Sequence, residues 1–136
     1  MNLDHLIGLQ RSVEITVDDK VTASSVGSGG VDVLSTPSMI LLFEQTARDA
    51  VQSALPEGFT TVGTRVDIRH ISATPVGERV RAGASVMEVT GRRILFAVSA
   101  SDRHGTVGAG THERYVVDIV GFMEKLVEKY SDRIGK

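Results

Sequence analysis

An α+β fold, with one antiparallel sheet packed on one long helix, is what three features of this sequence predict. Residues 36–55 form a single long run with helical periodicity, four stretches between Thr60 and Ile119 alternate apolar and polar residues, and the tail from Val120 returns to helical spacing. The order is then strand, loop, long helix, four strands, helix. No repeat or shift in composition interrupts it, so the 136 residues are expected to form one domain over 1–136. A chain of this length buries somewhat over ~60% of the surface it exposes when unfolded, enough for a core and one cleft.

The first strand is read over 12–18, where Val13, Ile15 and Val17 share one side. The stretch from Thr22 to Gly30 is small and flexible in composition and reads as a loop. Thr36 followed by Pro37 marks a helix start, with threonine as N-cap and proline at the first helical position. That helix should run to about Leu55 and stop at Pro56-Glu57-Gly58. Met39, Ile40, Phe43, Ala47, Ala50, Val51 and Ala54 fill one arc, opposite Gln45, Arg48, Asp49 and Gln52.

From Thr60 the period becomes two, with Val62, Thr64, Val66, Ile68 and His70 on one side and Arg65, Asp67 and Arg69 on the other. Further strands are read over 79–89, 92–101 and 105–119, separated by turn signals at Pro75-Val76-Gly77, Gly91 and His104-Gly105. Val120, Met123, Leu126, Val127 and Tyr130 against Glu124, Lys125, Glu128 and Lys129 describe a helix covering the sheet. Long sheet edges with few prolines commonly find a partner strand, so a homodimer is expected.

Composition removes several classes of function. Lys+Arg 15 against Asp+Glu 17, with two tyrosines, four phenylalanines and no tryptophan, leaves neither a basic patch nor stacking platforms for nucleic acid. No apolar stretch is long enough for a signal peptide or membrane span, so no membrane partner is expected. The absence of cysteine rules out disulfides, a thiolate nucleophile and thiolate-bound zinc, and agrees with a reducing, cytoplasmic location. His5, His70, His104 and His112 lack metal-ligand spacing, and Gly105–Gly110 does not fit a dinucleotide fingerprint, so neither a dedicated zinc site nor a phosphate loop is expected.

Five residues stand out, each with an ordinary role to compete against. Glu44 sits at the border of the helix's apolar arc, where it is either a surface i, i+4 ion pair with Arg48 or a half-apolar carboxylate able to act as base or nucleophile. His70 lies in phase with apolar strand residues, as a core ring satisfied by backbone or as a proton shuttle. Thr36 is explained by capping alone, although a capping hydroxyl still has a proton to donate. Gly63 in mid-strand marks either a bulge or a close backbone approach to a ligand. Arg114 makes an ordinary cross-strand pair or holds an anionic or carbonyl group.

Taken together, Leu34-Ser35-Thr36-Pro37-Ser38-Met39 with Glu44, Val62-Gly63-Thr64 with His70, Ala73-Thr74-Pro75, Gly91-Arg92-Arg93 and Gly110-Thr111-His112-Glu113-Arg114 resemble the fluoroacetyl-CoA thioesterase family of single hot-dog domains. The resemblance spans about Val33 to Ile119. It implies a homodimeric hot-dog enzyme that hydrolyses small acyl-CoA thioesters without metal or cofactor, with Thr36, Glu44 and His70 at catalytic positions. By the same resemblance, Gly63 and Arg114 would bind the acyl group or the attacking water. Fluoroacetyl-CoA specificity in that family goes with aromatic residues before the helix, and here the corresponding positions hold Gly27 and Gly30. A broader or different short acyl group is therefore expected.

Thioester hydrolysis needs a nucleophile aimed at the carbonyl carbon and donors where the oxyanion develops. The expectation is that Glu44 attacks or activates water, His70 supplies or shuttles a proton, and Thr36 positions the nucleophile or donates to the thioester. Eight residues of helix place Thr36 and Glu44 roughly 12 Å apart, so they bracket an extended site or meet across a dimer. A hydratase or dehydratase on the same fold, and a non-catalytic acyl-CoA binder, are the alternatives. Release of free CoA thiol separates hydrolysis from both.

Overall fold

The period-two stretches become strands that pair into one antiparallel sheet. The computed structural model describes residues 1–134; Gly135 and Lys136, the last two of the expected domain span, lie outside the described residues. The strands are β1 (Gln10–Thr16), β2 (Phe59–His70), β3 (Arg79–Thr90), β4 (Arg93–Asp102) and β5 (Gly105–Asp118), in sheet order β1-β3-β4-β5-β2. Consecutive strands β3, β4 and β5 are neighbours because tight turns join them. At the β3–β4 turn Gly91 takes φ +61°, a left-handed value that glycine reaches without steric cost.

One long helix, α2 (Thr36–Gln52), lies on the sheet and touches every strand. Its buried residues Met39, Phe43, Ala47 and Val51 meet the inward alternation of β3 (Val80, Ala82, Ala84, Val86) and β4 (Ile94, Phe96, Val98, Ala100). Each large side chain in this layer contributes about 1.5–3 kcal/mol on burial. The expected α+β architecture, an antiparallel sheet on one long helix, is what forms.

Four local expectations change. The N-cap of α2 is Ser35, whose hydroxyl accepts from the Ser38 amide at 3.1 Å, so Thr36 is the first helical residue and Pro37 the second. The helix stops at Gln52, three residues short of Leu55, in a turn where Ala54 N–H bonds Val51 O. The loop from Thr22 contains a one-turn helix, α1 (Ala23–Val26), capped by the Thr22 hydroxyl and ended by Gly27 at φ +76°. The C-terminal helix α3 (Ile119–Lys129) forms, followed by the short α4 (Ser131–Ile134), but no residue of α3 is buried, and Ile119, Val120, Phe122 and Met123 are exposed.

The largest correction concerns β2. Its pairing with β5 runs Gly63↔Arg114 and then Arg65↔Glu113, so a β-bulge inserts Thr64 and reverses the alternation. Thr61 and Gly63 face α2 before the bulge; Val66, Ile68 and His70 take that side after it. The single-sided row from Val62 to His70 read from the sequence is therefore two half-rows.

β1 and β2 are the sheet's outer strands, and β2 presents a twelve-residue edge without proline. Close packing at the inner side of β2 depends on Gly110, where an added Cβ would lie 2.7 Å from the Ile68 Cα and against the Asp67 carbonyl. Backbone cannot yield as a side-chain tip can. Gly110→Ala should destabilise the protein by about 1–3 kcal/mol or more, while Gly30→Ala, which meets nothing within 4 Å, should stay within about 0.5 kcal/mol of wild type. Urea unfolding of the two variants checks this.

Candidate active site

The geometry places the five singled-out residues in two groups along the α2–β2 seam. At the N-terminal end of α2, Thr36 Oγ1 and His70 Nδ1 are 2.8 Å apart. Their meeting follows from the cap. Because Ser35 satisfies the helix amide, the Thr36 hydroxyl has no local partner and turns toward β2. His70 is half-buried, and its Nε2 is buried without a hydrogen-bond partner. Desolvation lowers its pKa from the ordinary 6.5, with the Ser72 backbone acting the other way. Beside this pair opens a cleft of about 370 Å³ lined by Ala23, Ser28, Gly29, Val31, Thr36 and His70.

Two turns further along α2 lies the second group. Glu44 is only part-exposed, and the surface ion pair with Arg48, one of the two readings open for it, does not form, since Arg48 bonds Asp49 at 3.0 Å instead. The cation facing Glu44 is Arg114, with Nη1 4.0 Å from Glu44 Oε2. Gly63 makes this approach possible: a Cβ there would sit 2.8 Å from Glu44 Oε2 and 3.3 Å from Arg114 Nη1. The bulge falls at the next residue, Thr64, and the close backbone approach seen at Gly63 is to Glu44.

Arg114 is 6% exposed, which excludes an ordinary surface pair. Its Nε donates to Thr61 Oγ1 at 2.7 Å, its Nη2 donates to Thr61 O at 2.9 Å, and its Nη1 lies 3.2 Å from His112 Nε2. Desolvation lowers its pKa, with Glu44 opposing and Arg48 adding to the lowering. His112 is 1% exposed, stacks on Phe96 at 6.2 Å between centroids, and has Nδ1 2.8 Å from Arg65 O. Burial is the main cause lowering its pKa. Arg65 O, Glu44 and Glu113 oppose the shift, and Arg114 reinforces it.

Within one chain the two groups stay apart: Thr36 with His70, and Glu44 with Gly63 and Arg114. Eight residues of helix, about 12 Å, separate Thr36 from Glu44. Sequence reasoning did not single out Thr61 or His112. The signal was phase, because His112, Arg114 and Val116 recur at period two on β5, which puts two cationic-type residues in line with a core valine. Thr61 was hidden by the bulge. Among the described residues no three His, Asp or Glu side chains gather at metal-binding distance, and no helix is long and apolar enough to cross a membrane.

Comparison with known proteins places this geometry in a family. The family model of the fluoroacetyl-CoA-specific thioesterase FlK matches residues 17–120. A fluoroacetyl-CoA thioesterase of Streptantibioticus cattleyicolor is 36% identical over 98 residues, covering 72% of this chain and 70% of that protein. A solved FlK structure superposes with a TM-score of 0.83 at 29% identity over 90% of this chain and 96% of that one, and a variant of FlK has been solved with acetyl-CoA. A hot-dog-like protein from Thermanaerovibrio acidaminovorans gives a TM-score of 0.88 at 26% identity over 96% and 98% of the two chains. A thioesterase of the hot-dog fold is the class of protein these likenesses define. Within that class the chain belongs to the fluoroacetyl-CoA-specific thioesterase family, FlK.

Half-buried His70 and buried His112 give the protein's stability a pH dependence. Both His70 and His112 have folded-state pKa values below the ordinary 6.5, so the unfolded chain binds protons more readily than the folded one as pH drops. Their contribution to stability is complete above about pH 6.5 and is lost as pH falls through the lowered folded values. The urea midpoint should fall from pH 7 to pH 5, and His112→Gln should flatten that dependence.

Proposed function

We propose that the protein hydrolyses a short-chain acyl-CoA thioester to the free acid and CoA, with Glu44 acting on the carbonyl and His70 and Thr36 managing the proton. The observation that carries this reading is the Glu44–Arg114–Gly63 group: a half-buried carboxylate facing a buried guanidinium across 4.0 Å, with bare backbone beside it. One water at ordinary hydrogen-bond length of ~2.8 Å from both groups spans that gap. Glu44 either takes a proton from such a water, which then attacks, or attacks the carbonyl itself to give an acyl-enzyme anhydride that water opens. In both routes the C–S bond breaks and CoA leaves as the thiolate; the proton lost by the attacking water reaches that thiolate through His70, which begins and ends as the neutral ring. Thr36 holds the His70 ring at Nδ1, so the partnerless Nε2 is the atom that meets the reactant.

Neither group suffices alone, and the free β2 edge suggests how they join. Two β2 strands pairing antiparallel about a two-fold axis at Asp67, with Thr64 bulged out of the ladder, set Gly63 of one protomer opposite the partner's His70. The Glu44 group of one subunit then faces the Thr36–His70 pair of the other. The homodimer on this reading has two shared sites.

The acyl group is read from the loop. The stretch 22–34 carries no aromatic residue, and Gly27 and Gly30 both face open space. The relative from Streptantibioticus cattleyicolor is a fluoroacetyl-CoA thioesterase, and a variant of FlK has been solved with acetyl-CoA. A cleft lined here by alanine, serine, glycine and valine favours short acyl groups generally over one fluorinated substrate. The absence of cysteine, together with the CoA substrate, supports a cytoplasmic location.

Thiol release from a panel of short acyl-CoAs tests the activity. Glu44→Ala and His70→Ala should each lower kcat/KM by at least ~100-fold, the scale of a lost general acid or base; retention of activity in either removes that residue from the mechanism. Because His70 works as a neutral ring, the acid limb of kcat/KM should fall below the ordinary histidine pKa of about 6.5 and vanish in His70→Ala. Mixing the two inactive variants should restore up to about a quarter of wild-type activity once subunits exchange, since half the dimers carry one intact site. No recovery in proven heterodimers means each site lies within one chain.

A further inference from the structure

Arg114 faces Glu44 only because something holds it there, and Thr61 accounts for one side of the fork. Its Nε and Nη2 are bound to Thr61, leaving Nη1 to be fixed by a group with a free lone pair. That group is His112. A carbonyl oxygen accepts and cannot donate, so the 2.8 Å contact to Arg65 O puts the ring proton on Nδ1. A guanidinium donates and cannot accept, so the 3.2 Å contact to Arg114 leaves Nε2 bare. Both contacts select one form of the ring, neutral with Nδ1–H. An imidazolium would set N–H against N–H.

We propose that His112 is a positioning residue for the thioesterase site: as the neutral Nδ1–H ring it ties the β2 bulge to Arg114 and so aims Nη1 at the Glu44–Gly63 pocket. The carbonyl it binds belongs to Arg65, the first residue paired after the bulge, so the ring spans the same irregularity that turns Gly63 inward. Phe96 lies opposite His112 across β4–β5 and stacks on its face, which fixes the ring plane. Nη1 carries two hydrogens. With one on His112, the other is directed to the gap before Glu44. A side chain that only filled the space would leave Arg65 O and Nη1 unmet and let the guanidinium turn.

This inference rests on the thioesterase reading for its kinetic readout but not for its structural one. The experiment measures kcat and KM with acetyl-CoA for the wild type, His112→Leu, His112→Gln, Arg114→Gln and the His112→Leu/Arg114→Gln double variant. Nitrogen-15 NMR of wild-type His112 and of the Arg114 Nη groups is recorded beside them. His112→Leu should lower kcat/KM by ~100-fold, the scale of a misplaced reacting group, and mainly through kcat. His112→Gln, which offers one donor and one acceptor, should recover most of that loss. The double variant should be no worse than Arg114→Gln alone, because a residue acting only through Arg114 has nothing further to lose. The spectrum should show a bare Nε2, and slow Arg114 Nη rotation that is lost in His112→Leu, or, if that variant does not fold, changed in His112→Gln.

Additive losses, an Nε2–H tautomer, or an imidazolium at neutral pH each overturn the proposal. If the wild type releases no thiol from any acyl-CoA, the thioesterase reading fails by itself, and the NMR of the ring and guanidinium still decides whether His112 positions Arg114.

Discussion

A guanidinium with 6% of its surface left to solvent has to find partners for its donors, because an uncompensated buried charge costs several kcal/mol. Arg114 obtains them from Thr61 twice, from His112 once, and from Glu44 as counter-charge at 4.0 Å. Those partners come from β2, β5 and α2, so the three elements are locked at one point. For Thr61 and Gly63 to face Arg114 while His70 faces Thr36, the alternation of β2 must reverse between them, and the bulge at Thr64 performs that reversal. A regular strand would turn one group or the other away from the helix.

On the proposed mechanism the same constraint gives the chemistry its layout. The carboxylate, the guanidinium and a glycine backbone meet in a partly dry setting, where dipoles and charges act more strongly than in water and need little rearrangement as the reaction proceeds. His70 sits at the other end of the helix, its Nδ1 occupied by Thr36 and its Nε2 idle. Splitting the polar groups along one helix is awkward for a single chain and natural for a two-fold pair, in which opposite ends of a seam come face to face. The unpaired β2 edge lies beside both groups.

How much of this the sequence disclosed depended on the range of the interactions involved. Strand existence and order, the long helix and its apolar arc were legible because period and caps are local, and boundaries were recovered to within a few residues. The helix cap was misplaced by one residue since Ser35, Thr36 and Pro37 form a cap-like run in which either hydroxyl serves on composition alone. That single step freed Thr36 for His70. α3 was read as a cover because an amphipathic pattern says a face is apolar without saying what it meets. Thr61 and His112 were passed over because a bulge has no period, and because a threonine and a histidine on a strand look ordinary until a charge is buried between them.

By itself, then, the sequence determined the elements and, through its spaced motifs, the family to which they belong, and it singled out the residues proposed to carry the chemistry. It did so because propensity, periodicity and motif spacing act within a few residues of chain. Only the tertiary structure decided which of those residues meet. It released Glu44 from Arg48 and set it before Arg114, joined Thr36 to His70, and kept the two groups about 12 Å apart along one helix. These outcomes turn on strand register, one inserted residue and the satisfaction of a buried cation, all fixed between residues far apart in the chain.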